Sequence, residues 1–327
     1  MHRTFASLAL LATLLSAAPA ALANERLQVL TSFSILADMV ENIGGNNVEV
    51  TALVGPDSDA HVYSPRPTDA RAVSQADLVV LNGMNFEGWM ERLVKASDHH
   101  GLVVTATDGV EARLNQAKHD HDHAEHDHHD HAEHDHHDRA GHDHGGKDPH
   151  AWQDLALGDI YINNILAGLI AADPENEAAY RQRAEQYLAE VNATHTNIQQ
   201  QLAELPDTTK IITSHRAFDH FARAYGLTFL SPAGVSSEAE PSAADLAALV
   251  EVVREQDIRA LFHENMTSQA LLNQLAEETG VPIAGSLYSD ALTSDGDAAT
   301  WLGMLRHNAR VLHDALIVEH EPHPTAD

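Results

Sequence analysis

The alternation of apolar runs with helix-spaced apolar positions sets the reading of this chain. Residues 27–33, Leu-Gln-Val-Leu-Thr-Ser-Phe, form a short apolar run ending in small polar residues. Ile35, Leu36, Met39, Val40 and Ile43 then recur at the spacing of one helix face, and Gly44-Gly45 stops the pattern. The same grammar predicts a strand at 48–54, a helix at 68–75 and a buried strand at 78–81. A helix at 88–95 and a strand at 101–105 follow. Residues 155–172 are apolar at helical spacing, and Asp173-Pro174 punctuates them. From 175 to 205 there is no Gly or Pro, so one helix of roughly 45 Å is expected at about 1.5 Å per residue. Beyond Pro206 the alternation resumes, with strands at 210–213, 227–230, 258–262 and 282–287. Helices are expected between and after them at 217–225, 242–256, 268–279 and 300–316.

Strand and helix alternating in this way predict an α/β fold, with parallel sheets covered by helices. A helix longer than a small domain is wide suggests two lobes bridged by it. The expected organisation is an N-terminal lobe at 24–172, a linking helix at 173–205 and a C-terminal lobe at 206–327. Ligands of open parallel sheets bind beyond the carboxyl ends of the strands, which places a site in the cleft between the lobes.

Two segments fall outside this grammar. Met1-His2-Arg3 followed by a mostly apolar run to Ala18, Pro19 and the small-x-small triplet Ala21-Leu22-Ala23 reads as a secretory signal peptide at 1–23. An uncleaved anchor is the alternative. No other apolar stretch is expected to approach the length needed to span a bilayer. The chain has no Cys, so disulfides, thiolate metal sites and thioether-linked lipid are all excluded from its chemistry. The second segment is 118–148. Between His119 and His144 it carries twelve His and nine acidic residues, with no aliphatic side chain larger than Ala. Such a composition cannot repay the entropy of an ordered backbone, so a disordered His/Asp-rich loop is expected. Imidazoles interleaved with carboxylates suit zinc and its neighbours, against the plainer reading of a solvated charged linker.

The net charge is −30, from 19 basic and 49 acidic residues. That field repels nucleic acid and gathers cations. Four residues stand out as candidate ligands: His61, His150, His215 and Asp290, all expected just past strands at the cleft. Three imidazoles and a carboxylate, two from each lobe, would make a closed tetrahedral zinc site with no position for reactive water. No HExxH-like spacing selects them, and for each His a surface or capping role is the plain alternative. Asp59 is the reserve carboxylate. Glu264 is a candidate to orient a ligand imidazole, His263 reads as structural, and His220 is expected to point elsewhere. Trp89 and Trp152 read as core. His99, His100, His195, His307, His313, His320 and His323 read as surface residues.

Six collinear segments sharpen this picture: TSFSILADMVENIGG, GPDSDAHVYSPRPTDARAVSQADLVVLNGMNFEGWMERLV, DPHAWQD, TSHRAFDHFARAYGL, SEAEPSAADLAALVEVVREQDIRALFHEN and LAEETGVPI with LYSDALT. In them the chain resembles the metal-binding solute receptors of bacterial ABC importers, the cluster A-I (cluster 9) group, and within it the zinc receptors of the ZnuA and AztC kind. The resemblance implies two α/β lobes on a rigid helix and a monomeric periplasmic receptor. It also implies metal ligands at His61, His150, His215 and Asp290. The cargo it implies is Zn²⁺, since manganese members usually carry Glu where His215 stands. The implied partners are an inner-membrane ABC permease and a periplasmic zinc chaperone as donor. Some zinc receptors have Glu beside the first ligand His; Ala60 stands there here, so the carboxylate must come from elsewhere. The alternatives are a manganese receptor of the same family, a metal-storing or adhesive relative, and a secreted zinc hydrolase with an open three-His site. On the transport reading the His tract collects or accepts zinc.

Overall fold

A computed structural model describes residues 26–122, 148–206, 209–237, 242–256, 258 and 260–317. The expected signal peptide and residues 123–147 of the His tract lie outside them. Two four-stranded parallel sheets organise the rest. The first comprises β1 (Leu27–Phe33), β2 (Val48–Val54), β3 (Leu78–Leu81) and β4 (Leu102–Thr105), in the order β2-β1-β3-β4. The second comprises β5 (Lys210–Ile212), β6 (Thr228–Leu230), β7 (Leu261–Glu264) and β8 (Ile283–Leu287), in the order β6-β5-β7-β8. The two orders are the same topology, so the two lobes repeat one plan.

Helices α1 (Ser34–Gly44), α2 (Pro67–Gln75) and α3 (Met90–Ala96) connect the first four strands. In α1 the buried residues are those that the periodicity selected, Ile35, Leu36, Met39, Val40 and Ile43. The strand β3 is buried at every position, as a Leu-Val-Val-Leu run covered on both faces must be. Helix α4 (Val110–Asp122) has no counterpart in the sequence reading. It carries helix into residues 118–122, which were expected to belong to the disordered loop. Its polar sequence gives little periodic signal, and only a few apolar residues such as Val110 and Leu114 tie it down.

Helix α5 (Gly158–Ala172) corrects a second expectation. With the short 3-10 turn before it, Leu155–Ala172 is apolar and long enough to cross a membrane by length and composition. Half of that segment is buried inside the fold, where Tyr161, Ile162, Ile165 and Leu169 pack into the core. It packs as a core helix of the first lobe.

The bridging helix α6 (Glu177–Leu202) is 26 residues long, about 39 Å rather than the expected 45 Å. Pro174 begins a separate 3-10 turn, Pro174–Asn176, which shortens it at the start. It packs on α1 and α5 of the first lobe, and on α7 (Asp219–Tyr225) and α10 (Trp301–Leu316) of the second. Helices α8 (Ala243–Glu255) and α9 (Ala270–Thr279) cover the second sheet. Ser242 caps α8 with a reciprocal Asp245 bond. Strand β7 lies at 261–264 and not at 258–262; its pairing with β8 shifts register between Leu261 and Phe262. That displacement puts Glu264 on the last residue of the strand, at the cleft.

The lobes are not separate bodies. One continuous buried cluster runs from Val29, Leu36 and Trp152 to Phe218, Phe262 and Trp301. Buried polar bonds cross the same boundary. Trp152 Nε1 donates to Ser289 O at 2.8 Å, Trp301 Nε1 to Trp152 O at 2.9 Å, and Leu292 N to Ser34 Oγ at 3.1 Å.

Candidate metal centre

Three of the four candidate ligands follow strands, as expected. His61 lies past β2, His215 past β5 and Asp290 past β8, all at the carboxyl ends of the sheets. His150 does not; it stands just before the 3-10 turn Ala151–Gln153, where the chain returns from the His tract. Trp152 in that turn is fully buried and packs edge-on against the His150 ring, centroids 5.2 Å apart.

The four side chains converge. One ligand atom from each of His61, His150, His215 and Asp290 can be chosen so that all lie within 4.8 Å of one another. His61 Nε2 and His150 Nε2 are 3.3 Å apart. Asp290 Oδ2 is 3.1 Å from His215 Nε2 and 3.4 Å from His61 Nε2, and Asp290 Oδ1 is 3.5 Å from His150 Nε2. All four are buried, His61 least so at 8% exposure against 0–1% for the others.

The other ring nitrogens explain which atoms face inward. Asp148 Oδ1 is 2.6 Å from His150 Nδ1 and also accepts from His150 N at 3.0 Å. Glu264 Oε2 is 2.7 Å from His215 Nδ1, an ion-pair distance without the alignment of a formed hydrogen bond. Glu264 is itself fixed, because its Oε1 accepts from Ser214 N at 2.8 Å and from His215 N at 3.0 Å. Carboxylates beside both Nδ1 atoms favour protons there, so that once each ring is neutral its Nε2 lone pair faces the centre. Two imidazole nitrogens 3.3 Å apart cannot both donate to each other. Asp290 Oδ1 is buried and accepts no hydrogen bond. Converging lone pairs with an unsatisfied carboxylate oxygen call for a cation.

The titration of the cluster has the same origin. Burial would lower the His215 pKa, but the Glu264 and Asp290 carboxylates outweigh it and hold the ring well above the ordinary histidine range. Burial would raise Asp290; His150 and His215 outweigh it and hold the carboxyl well below its ordinary value. Asp148 and Glu264 are likewise lowered against burial, Asp148 by His150 and His220 and Glu264 chiefly by His215.

The remaining expectations sort cleanly. Asp59 is not in the cluster: its Oδ1 accepts from His61 N at 2.8 Å and its Oδ2 from Ser237 Oγ at 2.5 Å. Ala60 is buried, and its carbonyl accepts from Trp89 Nε1 at 2.8 Å. Glu264, the candidate to orient an imidazole, lies against the ring of His215. His263 faces the other side of β7, with its pKa lowered by burial. His220 is corrected. It is buried, and its Nε2 lies 3.1 Å from Asp148 O and 3.5 Å from Asp148 Oδ2, so it steadies the carboxylate behind His150. The surface reading also needs adjusting at four histidines, the first being His99, half-buried with its Nδ1 2.8 Å from Val73 O. His195 meets Tyr225 Oη at 3.2 Å, His307 stacks edge-on Tyr288, and His313 pairs with Glu204 at 3.0 Å.

Two positioning residues escaped the sequence reading. Asp148 is one, although it had a visible signal. Asp59-Ala60-His61 and Asp148-Pro149-His150 are both Asp-x-His, and in both the carboxylate accepts from the His backbone N–H. Asn82 is the other. Its Nδ2 donates to Pro149 O at 3.0 Å and its Oδ1 accepts from Tyr161 Oη at 2.9 Å, which fixes the His150 segment. Nothing local in the sequence marks Asn82.

Comparison with known proteins agrees with this geometry. The profile of the ZnuA family, described as zinc-uptake complex component A, periplasmic, matches residues 29–315. Among curated relatives, the manganese-binding lipoprotein MntA of Halalkalibacterium halodurans is 31% identical over 286 residues, 87% of this chain and 86% of that protein. The manganese ABC transporter substrate-binding lipoprotein PsaA of Streptococcus pneumoniae is 28% identical over 301 residues, 90% of each chain. Among solved structures, the periplasmic zinc binding protein TroA from Treponema pallidum superposes with a TM-score of 0.78 at 25% identity, over 90% of this chain and all of that one. The fold, two α/β lobes on a long helix, is shared with that structure. The relatives are solute receptors, which sets aside the hydrolase with an open three-His site. The chain belongs to the ZnuA family of metal-binding components of ABC importers.

Proposed function

We propose that this protein is exported to the periplasm, captures Zn²⁺ with high affinity and delivers it to an ABC permease. His61, His150 and His215 would bind through Nε2 and Asp290 through a carboxylate oxygen. The observation that carries the reading is the convergence of three imidazoles, two of them held at Nδ1 by a carboxylate, on one buried acid. That donor set is rich in nitrogen and closed, which suits zinc; manganese favours more oxygen ligands and a higher coordination number. No group in the centre is placed to activate water. The tract at 118–148 serves as collector or acceptor of zinc, from solution or from a chaperone, and hands it to the cleft. The receptor acts as a monomer.

A manganese receptor is the second reading, because the curated relatives named above carry manganese in their names. Competition titration of zinc and manganese against chelators separates the two. It should be run on the wild type and on the alanine variants of His61, His150, His215 and Asp290. The expected result is tight zinc binding, far weaker manganese binding, and loss of the tight site in the variants. Tighter manganese than zinc binding would establish the second reading. Unchanged zinc binding in all four variants would remove the ligand assignment altogether.

A further inference from the structure

The buried centre poses a question of access. Opening the lobes as rigid halves would tear one continuous apolar core and break the buried Trp152–Ser289, Trp301–Trp152 and Leu292–Ser34 bonds together. Each buried polar group left unpaired is costly, and the exposed core adds to that. Exchange by wide opening is therefore a slow route.

A second route is built into the fold. A cavity of about 530 Å³ lies between the two lobes, and His61 forms part of its wall. Phe86 and Trp89 of the first lobe line one side and Val235 of the second lobe lines another. Pro149, adjacent to the ligand His150, completes the inner end. Gly88 and Arg92 also line it and are exposed, so the cavity reaches the surface. His61 is the most exposed of the four candidate ligands and the only one of them that lines this cavity. The remaining three sit at 0–1% exposure. The wall holds one cation, Arg92, and no carboxylate. Beyond His61 it offers a divalent cation only neutral oxygens, such as the Asn85 amide, which suits passage more than storage.

We infer that this cavity is the portal through which the metal enters and leaves the centre, with His61 as the first ligand met, while the lobes stay closed. The inference rests on the zinc-capture reading above, and it adds the route. It requires the rates of entry and exit to depend on the width of the cavity, and the affinity to be independent of it.

Gly88 gives a clean way to narrow the portal. A Cβ placed there meets nothing within 4 Å, and its backbone is not in the left-handed region. Gly88→Phe should therefore narrow the cavity without straining the backbone. Met84→Gly should do the opposite. Met84 lines the cavity at φ 54°, where glycine is favoured, so the change widens the mouth without straining the backbone. The full chain would be mixed with ZnCl₂ in a stopped-flow instrument, and the loaded protein with EDTA. Trp152 beside His150 supplies a fluorescence signal for the centre. Gly88→Phe is expected to slow association and extraction by the same factor, about tenfold or more, with affinity unchanged. Met84→Gly is expected to speed both. Unchanged rates in a folded Gly88→Phe protein would overturn the portal and point to lobe opening. So would an affinity change equal to the change in extraction rate, because the side chain would then be disturbing the ligands. If Gly88→Phe did not fold, unchanged rates in Met84→Gly would by themselves overturn it. A wild type that binds no zinc would instead refute the zinc reading.

Discussion

Glu264→Gln tests the tautomer logic of the centre more sharply than removal of a ligand. In the wild type, Glu264 Oε1 accepts from Ser214 N and His215 N, and Oε2 faces His215 Nδ1. In the variant the amide oxygen will keep the backbone donors, since an NH₂ facing them would leave buried N–H groups opposed. The amide NH₂ then points at His215 Nδ1. It can donate only to a lone pair, so the ring proton moves to Nε2, the atom that should bind the metal. Loss of a carboxylate behind a ligand His typically weakens metal binding about 10–100-fold. That is about 1.4–2.7 kcal/mol, and an inverted tautomer belongs at the upper end. The assay is competition against a chelator of known zinc affinity at pH 7.5. Glu264→Ala serves as a control that removes the charge without imposing the wrong tautomer. Glu264→Gln should bind zinc at least as weakly as Glu264→Ala, with the melting temperature of the metal-free protein recorded for both. Zinc affinity within threefold of wild type in Glu264→Gln would refute the reasoning.

Three further outcomes follow from the same geometry. His215 is held protonated above the ordinary histidine range, and zinc must displace that proton, so zinc affinity should rise with pH through that raised window; in Glu264→Ala the rise should shift to lower pH, and a pH-independent affinity measured by chelator competition would contradict this. Asp38 is half-buried between Tyr187 and the start of α10, and desolvation pushes its carboxyl up to about 6 from an ordinary 3.8. The folded state thus binds this proton more tightly than the unfolded one, and stability falls as pH rises from about 4 to about 6, by about 3 kcal/mol at most. Asp38→Asn should therefore gain stability over wild type at pH 7.5 and not at pH 4, read by denaturant unfolding; equal differences at both pH values would count against it. Trp301→Ala removes a fully buried ring and the donor to Trp152 O, and should cost about 3–5 kcal/mol in the same assay. A cost under 1 kcal/mol would show that the core joining the lobes is not continuous there.

Much of this architecture was legible because the periodicity is strong where the burial is two-sided. Strands β2 and β3 and the buried face of α1 were read to the residue. The errors have physical causes. Helix α4 is polar, so the helical period had little to act on. The sequence predicts α6 too long at both ends because the residues that leave the helix, the 3-10 turn Pro174–Asn176 with Glu175 in it and the turn after Leu202, are as helix-compatible in composition as the helix itself. Strand β7 was placed early because Ile258 and Ala260 are buried while lying outside the ladder. His220 was misread by helical arithmetic. Five residues from His215 points away on a helix, but α7 starts only at Asp219, and the turn before it brings both rings toward the His150 segment. The candidate ligands themselves came from the family resemblance together with strand-end logic; their spacing in the chain alone did not select them. Asn82 stayed invisible because its role exists only in the packed state.

Deletion of residues 119–147 would separate collector from centre. One tight zinc should remain, with fewer ions bound in total and slower loading from dilute zinc. Loss of the tight site would reverse the two roles.

The most direct measurement is anomalous diffraction at the zinc edge from crystals of the full chain loaded with one equivalent of zinc. The expected density is a single strong peak bonded to Nε2 of His61, His150 and His215 and to an oxygen of Asp290, at about 2.0–2.2 Å. A peak ligated by other residues, or no ordered peak in the cleft, would contradict the account.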